Sequence, residues 1–329
     1  MRALLVVNPR ATTTSTRTAD VIVQALSHEL DLEITFTTHR GHGVDLGRWA
    51  LDNQLDAVIA LGGDGVVNEV LNGILRDGPA RPGHRVPALG VIPGGSANVF
   101  SRALAIPTDP VEATGVILRS TRDGVFRRIG LGHVQTPEFA RWFAVNAGLG
   151  IDARIIASME QQRGRGGRAT PTRYFITTVR EFFKDRRSPR MTITRPGLAP
   201  TSGVVVGIVQ NAAPWTYFGA IPVDPCPSAS FETGLDLFAL RNLGPLTTVR
   251  AATRMLTRAD AGSPGSSRSS GSSGSPGSSG SSIVRWHDQS AFDFTAQEPV
   301  PIQVDGEGMG TTSHASFTSH PGALLVMGR

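Results

Sequence analysis

The chain has 329 residues, of which 40% are hydrophobic, and a formal net charge of +5, so it is long enough for two domains with apolar cores. No apolar run approaches the roughly 20 residues that span a bilayer, and the opening Met1-Arg2-Ala3-Leu4-Leu5-Val6-Val7-Asn8-Pro9 holds too short an apolar run for a signal peptide, so it is expected to form a first strand. Cys226 is the only cysteine, which excludes an intrachain disulfide and points to a reducing cytoplasm.

The first 120 residues alternate strand and helix signals. Ala3 to Val7, Glu33 to Thr37, Ala57 to Leu61 and Ala88 to Ile92 predict strands, and the segments near 18–28, 43–53, 65–76 and 96–105 predict helices. This order implies a parallel, Rossmann-like sheet with helices packed on it, and such sheets bind ligands beyond the carboxyl ends of their strands. Four candidate loops fall there: Asn8-Pro9, Thr37 to Gly41, Gly62 to Gly65, and Pro93-Gly94-Gly95-Ser96.

The run Leu61-Gly62-Gly63-Asp64-Gly65-Val66-Val67-Asn68-Glu69-Val70 carries the most information. Glycines let backbone approach a ligand and aim amide N–H groups at it, and a helix N-terminus adds a partial positive charge that favours phosphate. Asp64 would repel that phosphate unless a cation lay between them, so the expected ligand is a nucleotide phosphate bridged to Asp64 through Mg²⁺ and its waters. The plainer alternative is a tight turn with Asp64 as a helix cap. Lys184 is the only lysine among 32 basic residues, which excludes a Walker-type lysine loop, a protein-kinase strand lysine and a Schiff-base site. Any phosphate clamp must therefore use arginine, backbone amides or metal.

From about Phe126 the texture changes to short strand-like pieces: Trp142 to Asn146, Met191 to Thr194, Val204 to Val209, Leu235 to Leu240, Ala291 to Thr295 and Pro301 to Val304. The expectation is an α/β nucleotide domain over 1–124 followed by a β-sandwich over 125–329, with a cleft between them. Between Glu160 and Arg190 nine basic residues stand against three acidic ones, and after Thr170-Pro171 the residues Phe175, Ile176, Val179, Phe182 and Phe183 make an apolar stripe on a helix expected at 171–187. A basic amphipathic helix suits an anionic membrane surface; a core-packing helix with a solvated arginine face is the alternative. A further helix is expected near 246–258. The Gly/Ser tract 262–282 cannot bury a core and is expected to be a disordered insertion, spanning on the order of 25 Å as a coil. The arginines form no recognisable groove-reading module, so no nucleic-acid partner is expected.

With Gly62 to Glu69, Pro93-Gly94-Gly95-Ser96-Ala97-Asn98, Asn146-Ala147-Gly148-Leu149-Gly150-Ile151-Asp152-Ala153 and Val304-Asp305-Gly306-Glu307 in this order, the chain resembles the soluble bacterial diacylglycerol kinases, which belong with the sphingosine kinases in one lipid kinase family. The glycine motif alone is also similar to that of NAD kinases and phosphofructokinases; Asp305-Gly306-Glu307 makes the match specific. The resemblance implies an ATP-binding α/β domain, a β-sandwich domain, and phosphoryl transfer in the cleft from ATP to the hydroxyl of diacylglycerol or a related lipid alcohol, giving phosphatidic acid.

Carried over by motif, ATP contacts are Asn8, Thr37, Gly62, Gly63, Asp64, Gly65, Val66, Val67, Asn68 and Ser96, the last where the family often has threonine. Glu307 is implied as general base, which fits the need of a weakly nucleophilic alcohol for a proton acceptor within hydrogen-bond reach. Asp305 is implied to orient its loop or to assist Mg²⁺, and Asp64 to hold Mg²⁺ through water. Read without the other motifs, Asp305-Gly306-Glu307 is an ordinary hairpin turn. The implied setting is the inner face of a cytoplasmic membrane, with lipid and ATP as partners and a homodimer admitted. Three positions depart from the family: Val99 and Arg128, where relatives carry aspartate near Mg²⁺, and Thr233, where a structural metal has its aspartate. The alternatives are a kinase of a soluble acceptor such as NAD and a catalytically silent lipid- or nucleotide-binding protein.

Overall fold

The structure is a computed structural model that describes residues 1–9, 16–79, 81, 84–150, 190–218, 221–241 and 282–328. The expected basic helix at 171–187, the helix near 246–258, and the Gly/Ser tract other than Ser282 lie outside these residues.

Short apolar runs become central strands because both of their faces can be covered. β1 (Arg2–Val7), β3 (Ala57–Gly62) and β4 (Ala88–Pro93) are buried along nearly their whole length, whereas β2 (Asp31–Phe36) keeps Asp31 and Glu33 exposed and takes the edge. Their order is β4-β3-β1-β2, all parallel. The first crossover therefore moves one way from β1, and the later ones return to its other side, so the switch point of the sheet lies between β1 and β3.

The helices divide accordingly. α1 (Thr16–Ser27) packs with α5 (Pro110–Asp123), and α2 (His42–Asp52) with α3 (Asp64–Ile74); α4 (Val99–Ala103) is a single short turn after β4. Glycines let α2 and α3 close on one another: a Cβ on Gly73 would stand 2.3 Å from the Val44 carbonyl oxygen, and one on Gly47 would stand 2.6 Å from that of Val70. α4 is shorter than the helix expected at 96–105, because Asn98 adopts a left-handed conformation and bonds back to Gly95. α5 is an addition to the expected elements, although its ends carry ordinary signals. The Asp109 carboxylate accepts from the Val111 and Glu112 amides, Pro110 sits at the first position, and Gly124 closes the helix at φ 64°.

The rest of the chain is strand-rich. It begins with β5 (Phe126–Gln135), β6 (Ala140–Phe143), β7 (Asn146–Gly150), β8 (Met191–Arg195), β9 (Leu198–Val204) and β10 (Val206–Gln210). It continues with β11 (Thr216–Phe218), β12 (Ile221–Val223), β13 (Leu235–Leu240), β14 (Ile283–Gln289), β15 (Ala291–Val304) and β16 (Glu307–Met327). Phe143, Leu149, Ile193, Leu237, Phe292, Phe294, Ile302 and Phe317 fill its core. The two strands expected at 291–295 and 301–304 are one strand, β15. It pairs with β8 before a register break between Thr295 and Val300, and with β7 after it. β16 pairs with β15 and β5, and its last residues also reach β4 in parallel through Val326 and Leu89. Fourteen strands thus form one mixed sheet, parallel in its N-terminal part and antiparallel beyond.

Candidate active site

The four loops expected to hold ligand do lie at one edge. The Asn8 amide donates to the Leu61 carbonyl (3.0 Å), the Thr37 amide to that of Val7 (2.9 Å), and the Gly94 amide to that of Gly62 (2.8 Å), so each strand hands its last bond to the neighbour's loop. Gly63 and Gly95 face each other so closely that a Cβ on Gly95 would stand 2.7 Å from the Gly63 Cα. Asn8 and Gly62 flank the switch point, and Ser96 is exposed beside them. Val67 is buried and Val66 packs against the core, so these two offer backbone rather than side chain. α3 starts at Asp64 after Gly63, with no side-chain cap on its first amides.

Asp64 does not cap its own helix. Its Oδ2 accepts from the Val99 amide and its Oδ1 from the Phe100 amide, both at 3.1 Å, so it anchors the start of α4. Burial raises its carboxyl above the ordinary range; these two amides oppose that rise, and the Asp305 charge adds to it.

Asp305 is more fully engaged. Oδ1 accepts from the Val145 (2.9 Å) and Asn146 (3.0 Å) amides, and Oδ2 from the Ala144 amide (2.8 Å) and Asn68 Nδ2 (2.8 Å). Burial pushes its carboxyl up while these four donors pull it down. The arrangement also explains why the strand expected at 142–146 is broken: the amides of 144 to 146 turn toward one carboxylate instead of a neighbouring strand.

Glu307, at the start of β16, stands over the glycine turn, 3.8 Å from where a Cβ on Gly65 would be. Its Oε2 accepts from Arg141 Nη2 (3.0 Å) and its Oε1 pairs with Arg40 Nη2 (3.3 Å). Arg141 Nε also donates to Asn68 Oδ1 (2.8 Å), so Asn68 joins Arg141 and Asp305.

Sequence reasoning assigned no role to Glu69, Asn72, Arg40 or Arg141. Glu69 is buried and accepts from the Gly41 amide (2.8 Å) and the Gly43 amide (2.9 Å), fixing the loop that carries Arg40. Asn72 accepts from the Trp142 amide (2.8 Å) and donates to its carbonyl (3.0 Å). Polar residues at 68, 69 and 72 inside an apolar helix were the available signal. Arg40 and Arg141 had none in so arginine-rich a chain.

The three departures have distinct surroundings. Val99 is buried at the first turn of α4. Arg128 Nη1 donates to the Gly322 carbonyl (2.9 Å). Thr233 Oγ1 donates to the Ser230 carbonyl (3.1 Å), next to a Glu232–Arg127 ion pair of 2.6 Å. Among the described residues no three His, Cys, Asp or Glu side chains gather as a metal site.

Residues 2–130 match the family described as Diacylglycerol kinase catalytic domain, which bears out the likeness to diacylglycerol kinases carried by the motifs. A diacylglycerol kinase from Staphylococcus saprophyticus is 34% identical over 120 residues, 36% of this chain and 36% of that one. One from Bacillus subtilis is 38% identical over 104 residues, 31% of each chain. The matched segment thus spans about a third of these curated relatives. A crystal structure of a diacylglycerol kinase from Bacillus anthracis str. Sterne superposes with a TM-score of 0.68 at 20% identity, covering 100% of this chain and 97% of that one, which establishes a shared fold. Asp305 and Glu307 fall outside the family match.

Proposed function

We propose that the protein is an ATP-dependent lipid kinase that transfers the γ-phosphoryl group of ATP to the free hydroxyl of diacylglycerol or a related lipid alcohol, giving phosphatidic acid or its counterpart. The observation that carries this reading is the position of Glu307: a carboxylate from far along the chain stands over Gly65, where the glycine turn enters α3. Phosphate cradle and proton acceptor therefore share one site.

In this reading residues 1–124 hold the nucleotide and 125–329 the lipid. The amides of the turn from Gly62 to Gly65 and the start of α3 receive the phosphates, and the Asn8, Thr37 and Ser96 loops line the nucleotide. Glu307 takes the proton of the acceptor hydroxyl as that oxygen attacks. Asp305, with four donors on its two oxygens, acts as a positioning residue: it fixes the backbone from Ala144 to Asn146 and, through Asn68, the register of α3 against β6. The donor set fits a Mg²⁺ that arrives with the triphosphate, since such an ion needs only one or two protein carboxylates and Asp64 offers one at the start of α3 for a water-mediated contact. The ion would neutralise charge on the phosphates.

No helix among the described residues is long and apolar enough to cross a membrane. Contact with an anionic membrane surface rests on the basic segment at 160–190 and is part of the proposal, as is a homodimer. The test is a radiolabelled-ATP transfer assay against dispersed diacylglycerol, other lipid alcohols and NAD. Label in a lipid alcohol is the expected result; label in NAD alone, or in no acceptor, would overturn the lipid kinase reading.

A further inference from the structure

A proton acceptor is poorly served by two guanidinium partners. Each occupies lone pairs the proton needs, and each positive charge makes the carboxylate a weaker base. Yet Glu307 has one on each oxygen, Arg141 on Oε2 and Arg40 on Oε1. The two cations differ in how they are held. Arg141 has a side chain only 16% exposed and a second bond to Asn68, which fixes it. Arg40 has a side chain 64% exposed and the longer contact, on a loop whose backbone Glu69 pins at Gly41 and Gly43. Its base is fixed and its head reaches through solvent.

Both heads converge on Glu307, whose Oε1 stands 3.8 Å from where a Cβ on Gly65 would be, in a chain whose single lysine, Lys184, lies far away in sequence. Arginine presents a planar fork of donors that suits phosphate, and a phosphoryl group offers it more charge and more oxygens than a carboxylate does.

We infer that Arg40 and Arg141 form the seat of the transferred γ-phosphoryl group, and that Glu307 fills this seat as an anionic stand-in until ATP arrives. The inference rests on the lipid kinase reading for the reaction but not for the seat itself. When the γ-phosphoryl group enters, Arg40 turns to its oxygens and releases Oε1, while Arg141 stays in place and reaches both groups. The base becomes competent only once the donor is loaded. In the transfer step the acceptor oxygen forms its bond to the γ-phosphorus and the bond from that phosphorus to the β,γ-bridging oxygen breaks. ADP leaves with the electron pair, and the acceptor's proton passes to Oε1.

The test compares affinities for ATP and ADP, which differ by the group in question, in Arg40→Gln, Arg141→Gln, Arg141→Lys and Glu307→Gln, alongside the transfer rate to diacylglycerol. Each Gln variant of an arginine is expected to weaken ATP about tenfold, the scale of one charged hydrogen bond, and to leave ADP within about twofold. Arg141→Lys should recover part of the loss. Glu307→Gln, which removes the rival anion, should tighten ATP severalfold without affecting ADP. Arg40 is exposed, so its variant remains informative if Arg141→Gln fails to fold. An unchanged ATP-to-ADP ratio in Arg40→Gln, or no gain in Glu307→Gln, overturns the seat. If no lipid alcohol accepts phosphate but the ratio shifts as described, the seat stands and the lipid kinase reading falls. If diacylglycerol is phosphorylated with the ratio unmoved, the reading stands and the seat falls.

Discussion

Asn68 Nδ2 donates to Asp305 Oδ2 at 2.8 Å across 237 residues of sequence, tying the helix after the glycine turn to the turn between β15 and β16. Other polar contacts of the site attach to this link: Arg141 through Asn68 Oδ1, and the amides of 144 to 146 through Asp305.

The two half-buried aspartates should therefore respond differently to amide substitution. In Asp305→Asn one oxygen becomes an NH₂ group facing two N–H donors, and each donor left unsatisfied away from water costs about 1–3 kcal/mol. We expect a loss of roughly 3 kcal/mol or more in urea unfolding. Asp64→Asn disturbs only the Val99 and Phe100 amides and should cost about half as much or less, yet phosphoryl transfer should fall below detection. A thermodynamically silent Asp305→Asn would remove its positioning role.

Glu307→Gln keeps volume and hydrogen bonding but cannot accept a proton at neutral pH. Steady-state assays with diacylglycerol should show kcat lowered by about 10² or more, the usual scale for positioned proton transfer, with the KM for lipid little changed. Full turnover would return the Asp305-Gly306-Glu307 segment to an ordinary turn.

Much of this site was legible beforehand, and the reason is physical. β1, β3 and β4 are buried on both faces, so their sequences are continuous apolar runs, and glycine turns stand out where β3 and β4 pass into their helices. The ends of the fold were harder. β16 reads Glu-Gly-Met-Gly-Thr-Thr-Ser-His-Ala-Ser-Phe-Thr-Ser-His before its apolar finish, alternating buried and partly exposed positions over a polar composition that resembles loop. β5 opens with Phe126-Arg127-Arg128, whose arginines bond to Glu232 and the Gly322 carbonyl, contacts of the tertiary fold that no local pattern announces. Arg40 and Arg141 belong to the same class: their roles come from convergence, not from spacing.

The approach of Gly63 to Gly95 gives a steric prediction. An alanine at 95 must push its loop away from Gly63, since its Cβ would stand 2.7 Å from that Cα. Overpacking of this kind costs about 1–3 kcal/mol, and because the strain falls at the nucleotide edge, the KM for ATP should rise about tenfold. Gly115→Ala is the control. Within α5 its Cβ would meet only the flexible end of Arg119, at 3.4 Å, so stability should rise by roughly 0.5–1 kcal/mol with kinetics unchanged. Equal effects of the two substitutions on the KM would refute the steric account.

His133 and His320 flank Trp142 with ring centroids 4.7 and 4.8 Å from it and 6.0 Å from each other. Burial lowers both imidazoles below the ordinary 6.5, and the charge of His320 lowers His133 further. The unfolded chain then takes up protons before the folded one does. The stability these rings contribute is full above about pH 6.5 and is lost as pH falls through that value toward the lower folded ones. Urea midpoints recorded between pH 7.5 and 5.5 should drop more steeply for the wild-type chain than for a His133→Gln/His320→Gln variant. Parallel curves would show that the rings titrate normally.

The last strand also bears on the order in which this molecule can be made. Residues 2–130 match a catalytic domain as a segment of sequence, but the apolar cluster around β4 includes Ala323, Leu324, Val326 and Met327. Those residues leave the ribosome nearly 200 residues after the end of the matched segment. Until they arrive, β4 has an open edge and its neighbours lack part of their packing, so the parallel half of the sheet emerges before the residues that complete it. A fragment ending at residue 130 would thus be an unfinished sheet, prone to pair with other chains through that edge. One strand, β16, thus both carries Glu307 at its start and reaches the edge of β4 at its end.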